Sequence, residues 1–278
     1  MIKRLLLYGT LFLLMSTAAW YWQKDPKNCE ACLPMPDVKS FFMPPPAIPL
    51  PYSMPPAPGV WDAWPAAQRL ADVNQRVLPV LKEELKKREL ILGAEIYLRA
   101  FKQERELELW LRSGTGWQLW RTYPIASASG YAGPKTREGD YQVPEGFYDV
   151  TLKQMNPGSS YHLAFNIGYP NAYDLQHQRT GSFIMIHGRD VSVGCLAMRD
   201  PVIEEIYLLV QAALEKGQSK VPVHLFPFRM TDENMNSAGG HPAEAFWRNE
   251  LRPAWQHFEA KHEVPELGVV DGQYQLRL

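Results

Sequence analysis

The chain has 278 residues, 46% of them hydrophobic and 12% aromatic, which is enough apolar material for one sizeable core with flanking pieces. Its 29 Lys and Arg face 30 Asp and Glu, for a net charge of -1. The basic excess with which proteins neutralise phosphate backbones is absent, and nucleic acid is set aside as a partner.

Met1-Ile2-Lys3-Arg4 places positive charge ahead of Leu5 to Trp22, a stretch without a charged residue. Residues 1–24 are therefore expected to act as a signal peptide or as a short inner-membrane anchor, which puts the rest of the chain in the periplasm or cell envelope. Ser16-Thr17-Ala18 offers a small-residue cleavage site, whereas Trp20 and Trp22 suit the interfacial end of an uncleaved span. Both alternatives stay open. Cys29 and Cys32 form a C-x-x-C pair with no following His and no second pair, so neither haem attachment nor a structural zinc site is supported. A local or intermolecular disulfide suits an oxidising compartment better. Residues 25–65 read as a semi-rigid linker, because eleven prolines between Pro34 and Pro65 forbid a helix or a central strand.

Ala66 to Leu90 carries helical spacing, with Leu70, Val73, Val77, Leu81 and Leu85 on one face. This predicts a packing helix over 66–92, kinked or restarted at Pro79. Alternating patterns then predict strands over Ala94–Phe101, Glu106–Leu111 and Gln118–Ile125, with a hairpin turn at Ser113-Gly114-Thr115-Gly116. Ser129 to Gly146 is rich in Gly, Pro and polar residues and reads as a long surface loop of the kind that borders a site. Further strands are expected at Phe147–Leu152, Tyr161–Ile167 and Phe183–His187. Asp200-Pro201 predicts an N-cap and first position for a helix to Leu214, with Glu204 and Glu205 placed for the helix dipole. Val221–Phe228 is expected to be the final strand of a domain spanning 93–230. Residues 231–278 read as a helical extension containing a helix over Pro242–Lys261. The fold class is α+β, mostly β, with flanking helices.

The stretch from Ile184 to Cys195 carries the chemistry. An apolar strand delivers His187 to its end, directly before Gly188. A hairpin-like return through Ser192-Val193-Gly194 then brings Cys195 beside the imidazole. A thiol with an ordinary pKa of about 8.5 becomes an effective nucleophile at roughly 3.5–7.5 when an imidazolium lies close. His187 is then the base and acid, and Cys195 the nucleophile. Gly194 lets the backbone approach a substrate carbonyl, so the N–H groups of Gly194 and Cys195 are the expected oxyanion donors. A backbone carbonyl near Gly188 is the candidate for orienting the imidazole. Arg189, between the two catalytic candidates, is favoured for binding a substrate carboxylate. Ser192 lacks the G-x-S-x-G elbow of a nucleophilic serine and reads as structural, with substrate binding as a weaker alternative. His162, beside Tyr161, is a weaker substrate-binding candidate and suits a satisfied core histidine. His257 and His262 have no metal-ligand spacing.

The His187-Gly188 element followed by Ser192-Val193-Gly194-Cys195 resembles the catalytic motif of the L,D-transpeptidase (YkuD-type) family. Arg137-Glu138-Gly139-Asp140 with Pro144-Glu145-Gly146-Phe147, the run Tyr161 to Asp174, Arg179-Thr180-Gly181-Ser182, and Val223 to Met230 look like the YafK-like branch of that family. The resemblance spans roughly Leu90 to Met230. It implies a β-sandwich catalytic domain and no metal or cofactor. It also implies attack by Cys195 on the diaminopimelate carbonyl of a peptidoglycan stem peptide, through a thioester. Two departures stand out: common members carry His where this chain has Val193, and Arg where it has Ala197. Hydrolysis by the same pair, including release of a wall-linked lipoprotein, is therefore one alternative. A non-catalytic wall-binding protein on the same fold is another.

Overall fold

The computed structural model describes residues 49–53 and 63–277, all within one compact unit, Met43–Leu278. The expected signal or anchor, the Cys29–Cys32 pair and most of the proline-rich linker lie outside the described residues. Among the described residues no helix is long and apolar enough to cross a membrane.

Helix α1 (Ala66–Lys87) buries Val73, Val77, Leu81 and Leu85, the stripe that its periodicity marks out. Pro79 lies inside it without ending it. The proline is exposed, so water can solvate the carbonyl that its missing N–H leaves free. Three antiparallel strands follow: β1 (Ile96–Phe101), β2 (Glu106–Ser113) and β3 (Gly116–Pro124), the last two joined through Gly114-Thr115. Then come β4 (Ser127–Ala128), β5 (Gly146–Val150), a 3-10 turn (Leu152–Gln154), β6 (Met155–Asn156), β7 (Ala164–Asn166), helix α2 (Ala172–Gln176), β8 (Met185–His187) and β9 (Leu196–Ala197). Helix α3 (Asp200–Glu215) precedes β10 (Val221–Phe226) and helix α4 (Asp232–Ser237). The chain closes with α5 (Glu244–Phe246), a π-helical turn (Trp247–Leu251), α6 (Arg252–Lys261) and the strands β11 (Glu266–Val270) and β12 (Gln273–Arg277).

Two five-stranded sheets result, in the orders β3-β2-β1-β10-β5 and β4-β9-β8-β7-β6, with β11 and β12 as a separate hairpin. Sheets dominate a mixed α/β fold, in keeping with the expected class. Helix α3 packs against β1 and β10 of one sheet and β7 and β8 of the other, and twelve of its sixteen residues are buried. It is therefore the shared wall behind both sheets and the floor beneath the residues that end β8.

Four expectations are corrected here. Strand β1 does not alternate between core and solvent: all six residues are buried. Ile96, Leu98 and Ala100 join the main core, while Tyr97 packs on Phe258 of α6 at 4.9 Å and the Arg99 guanidinium lies 4.5 Å over the same ring. The C-terminal helix covers the face that the sequence pattern leaves polar. Strand β10 is not the last: the β11–β12 hairpin turns at Asp271-Gly272, both at positive φ, the two-residue turn that an Asp-Gly pair favours.

Helix α3 starts one residue earlier than expected, with Arg199 at the N-cap position and Asp200 inside. Glu204 and Glu205 do not serve an exposed helix end. Both are fully buried. Glu205 Oε1 accepts from Trp120 Nε1 at 2.6 Å, Tyr123 OH at 2.6 Å and Arg121 Nε at 2.9 Å, and Oε2 accepts from Tyr52 OH. Glu204 is held by Arg76 and His162.

Candidate active site

Strands β8 and β9 are parallel, pairing Ile186 with Leu196 and His187 with Ala197. This replaces the expected hairpin-like return, which would make them antiparallel. The chain between them has to double back before it runs forward again. It does so through two left-handed residues, Arg189 at φ +61° and Gly194 at φ +83°. By extension of the register, Cys195 stands across from Met185, and His187 lies two residues further along the neighbouring strand. Residues two apart share a sheet face, and in-register parallel neighbours do too. The thiol and imidazole are thus on one face, one strand apart.

Each group has its own cradle. His187 is buried, and its Nδ1 lies 2.6 Å from the Gly188 carbonyl. A carbonyl only accepts, so Nδ1 carries the proton and Nε2 is left as the basic nitrogen. The backbone carbonyl proposed from sequence as the orienting group is therefore present. The Tyr161 ring lies 4.7 Å from the imidazole and covers it. Cys195 Sγ accepts from Met185 N at 3.4 Å and sits 3.7 Å from the Phe183 carbonyl. Among the described residues no hydrogen bond joins Sγ to the imidazole.

Burial pushes the His187 pKa down, against the Gly188 hydrogen bond and the field of Asp200. Burial also pushes the Cys195 thiol up, against the Met185 amide and the Lys135 ammonium. Both shifts favour neutral forms. They run against the thiolate–imidazolium pair expected from the sequence.

The remaining sequence candidates divide between the site and its supports. Gly188 cannot carry a side chain: a Cβ there would lie 2.6 Å from Asp200 Oδ1 and 2.8 Å from the Tyr161 carbonyl. The same Asp200 Oδ1 accepts from Arg189 N at 2.7 Å, and the Arg189 carbonyl accepts from Arg199 N at 2.8 Å. These bonds pin the start of the nucleophile loop to α3, with Arg189 half-buried beside it.

Ser192 is a local brace. Its Oγ accepts from Cys195 N at 3.0 Å and donates to Cys195 O at 2.6 Å. Gly194 N donates to Ser129 Oγ at 2.6 Å. Both amides expected to face an oxyanion are thus already occupied by serine hydroxyls. His162 is removed from substrate contact. It lies outside β7 at φ +70°, is fully buried, and its Nε2 is 2.8 Å from Glu204 Oε1. The helix α3 acid draws it into the core.

Ser129, Lys135, Tyr161 and Asp200 are the site neighbours that residue-by-residue reading passes over. Lys135 is buried, bonds Asp140 Oδ1 at 2.7 Å and the Arg137 carbonyl at 2.8 Å, and its charge reaches Cys195. It adjoins the Arg137-Glu138-Gly139-Asp140 block, the one sequence signal that pointed toward it. At the departures from the common motif, Val193 is exposed while Ala197 is fully buried between β4 and β8. Phe183 and Val191 are also exposed beside the thiol's loop.

The described domain is thus a mixed α/β fold dominated by sheets, with His187 ending β8 and Cys195 directly preceding the parallel strand β9. A family model described as the L,D-transpeptidase catalytic domain, YkuD, matches residues 96–224. The chain is 43% identical over 196 residues to "Putative L,D-transpeptidase YafK" of Escherichia coli K12, covering 70% of this chain and 78% of that relative. The protein of the same name in Escherichia coli O157:H7 matches to the same extent. Among solved structures, a variant of the helical cell shape determining protein Pgp2 from Campylobacter jejuni is similar, with 20% identity and a TM-score of 0.40 over 70% of this chain and 67% of that one. The chain belongs to the L,D-transpeptidase (YkuD) family.

Proposed function

We propose that the protein is a cell-wall acyl transferase that attacks the diaminopimelate carbonyl of a peptidoglycan stem peptide with Cys195. The observation that carries this is His187, held by the Gly188 carbonyl at Nδ1 with no hydrogen bond to Nε2 among the described residues, on the strand beside the only cysteine of the family domain. The Cys195 thiol gives its proton to Nε2 as the Sγ–C bond forms. The C–N bond to the terminal D-alanine then breaks, and the imidazolium returns that proton to the leaving amine. A thioester remains. An amine of a second stem resolves it: the new C–N bond forms as the C–Sγ bond breaks, and His187 takes the amine proton and returns it to the departing Cys195 sulfur. Arg189, beside the nucleophile loop, supplies positive charge for a substrate carboxylate. The basic and then apolar N-terminus supports action in the cell envelope.

Hydrolysis is the second reading. It is favoured by the exposed Val193 and the buried Ala197, which stand where common family members carry polar side chains. Water then resolves the same thioester, and a wall-linked lipoprotein becomes an eligible leaving group.

Product analysis separates the two. The protein is incubated with disaccharide-tetrapeptide, with and without an added acceptor amine. Transfer predicts release of D-alanine and a product that contains the acceptor. Hydrolysis predicts tripeptide alone, unchanged by the amine. Equal product from Cys195→Ala would remove the cysteine from the reaction.

A further inference from the structure

Strand β4 flanks β9 on the side away from β8, pairing Ser127 with Ala197 and Ala128 with Leu196. Continued by one residue, that antiparallel register sets Ser129 opposite Cys195. The nucleophile is therefore bracketed by Met185 of the histidine strand on one side and Ser129 on the other. The Ser129 hydroxyl is committed in both directions: it accepts from Gly194 N at 2.6 Å and donates to the Tyr141 carbonyl at 2.7 Å. Ser192 does the corresponding work one peptide later, accepting from Cys195 N at 3.0 Å. The peptide planes on either side of the Gly194 α-carbon are thus each held by a serine, and Gly194 sits between them at φ +83°. Glycine has no intrinsic preference for that conformation over its alternatives. Something outside the residue has to select it.

We propose that Ser129 is a positioning residue for Cys195: with Ser192 it forms a two-serine clamp that fixes the left-handed turn at Gly194 and thereby aims the thiol. Ser129 begins the 129–145 segment, and the same segment's Gln142 carbonyl lies 3.6 Å from where a Gly194 Cβ would stand. The clamp therefore ties the nucleophile turn to the 129–145 loop. The consequence for catalysis rests on the acyl-transfer reading above, but the clamp itself does not. Misplacing a reacting atom by about 1 Å can cost on the order of 100-fold in rate. Loss of one of two restraints is expected to cost less.

The test uses the full chain carrying Ser129→Ala, Ser129→Thr, Ser192→Ala and the Ser129→Ala/Ser192→Ala pair. The first readout needs no wall substrate: the rate of iodoacetamide alkylation at Cys195, followed by peptide mass at neutral pH. Cys195 is partly exposed, and releasing the turn frees its thiol to swing further into solvent, so Ser129→Ala is expected to react several-fold faster and Ser129→Thr within about twofold of wild type. Because both serines restrain one turn, the double variant should fall short of the product of the single effects. The second readout is turnover of disaccharide-tetrapeptide. Ser129→Ala is expected to lower kcat by about tenfold with KM unchanged, and Ser129→Thr to restore it. Unchanged alkylation in both single variants overturns the clamp, as does Ser129→Thr behaving like Ser129→Ala. A raised KM at unchanged kcat overturns it too, since Ser129 would then contact substrate. Faster alkylation in Ser129→Ala with no turnover by any form, wild type included, upholds the clamp and counts against the acyl-transfer reading.

Discussion

Replacing His187 with glutamine is expected to slow acylation by about 10²–10⁴-fold while leaving the pH dependence of Cys195 alkylation essentially where it was. The two halves of this result separate two designs of cysteine site. In an ion-pair site the imidazolium holds the thiolate, so removing the histidine raises the thiol pKa and slows alkylation at neutral pH. Here burial has pushed the imidazole down and the thiol up, and no hydrogen bond joins them among the described residues. Under the proposed mechanism the histidine is needed only when the proton moves. The measurement is kcat/KM on disaccharide-tetrapeptide beside an alkylation profile of both proteins. A thiol pKa that climbs in His187→Gln would restore the ion-pair picture. The same shifts set the pH dependence of turnover. A base held below the ordinary imidazole value stays deprotonated into mildly acidic solution, so the acid limb of kcat/KM should fall below about pH 6.5.

Replacing Glu205 with alanine is expected to destabilise the fold by about 3–5 kcal/mol. Its carboxylate is fully buried and accepts from Tyr52, Trp120, Arg121 and Tyr123. Deleting it leaves three buried neutral donors and a guanidinium, itself largely buried, without their acceptor. The loss is large against a typical stability of about 5–15 kcal/mol. Denaturant unfolding of Glu205→Ala beside Glu233→Ala, an exposed acid on α4, checks it: the second change should stay within about 0.5 kcal/mol. A similar small loss for Glu205→Ala would mean that water enters and satisfies the donors.

Which features the sequence disclosed follows from what each depends on. Helix α1 was legible because its buried stripe recurs at helical spacing along one continuous segment. The His187 and Cys195 candidates were legible because glycines and strand patterns surround them locally. The Gly188 carbonyl was foreseen for the same reason: it is the next residue.

What was missed depends on residues distant in the chain. Burial of both faces of β1 comes from Phe258, 161 positions after Tyr97. His162 turns inward because Glu204 waits on α3, and Glu204 is buried because α3 lies between two sheets. The push of His187 and Cys195 toward their neutral forms comes from burial, which no local motif reports. Ser129 and Gly194 meet only through the short β4–β9 ladder, too brief to leave an alternating pattern. The β11–β12 hairpin is different, because its Asp271-Gly272 signal was present in the chain and lay within a segment read as helical.

The central claim is that Cys195 carries the acyl group. Its most direct test is the intact mass of the protein quenched during incubation with disaccharide-tetrapeptide, beside Cys195→Ala. The account predicts an adduct of disaccharide-tripeptide mass, joined through a hydroxylamine-labile thioester, on the wild-type protein and none on the variant, with D-alanine released in step. An adduct that persists in Cys195→Ala, or D-alanine release that survives the substitution, would contradict it.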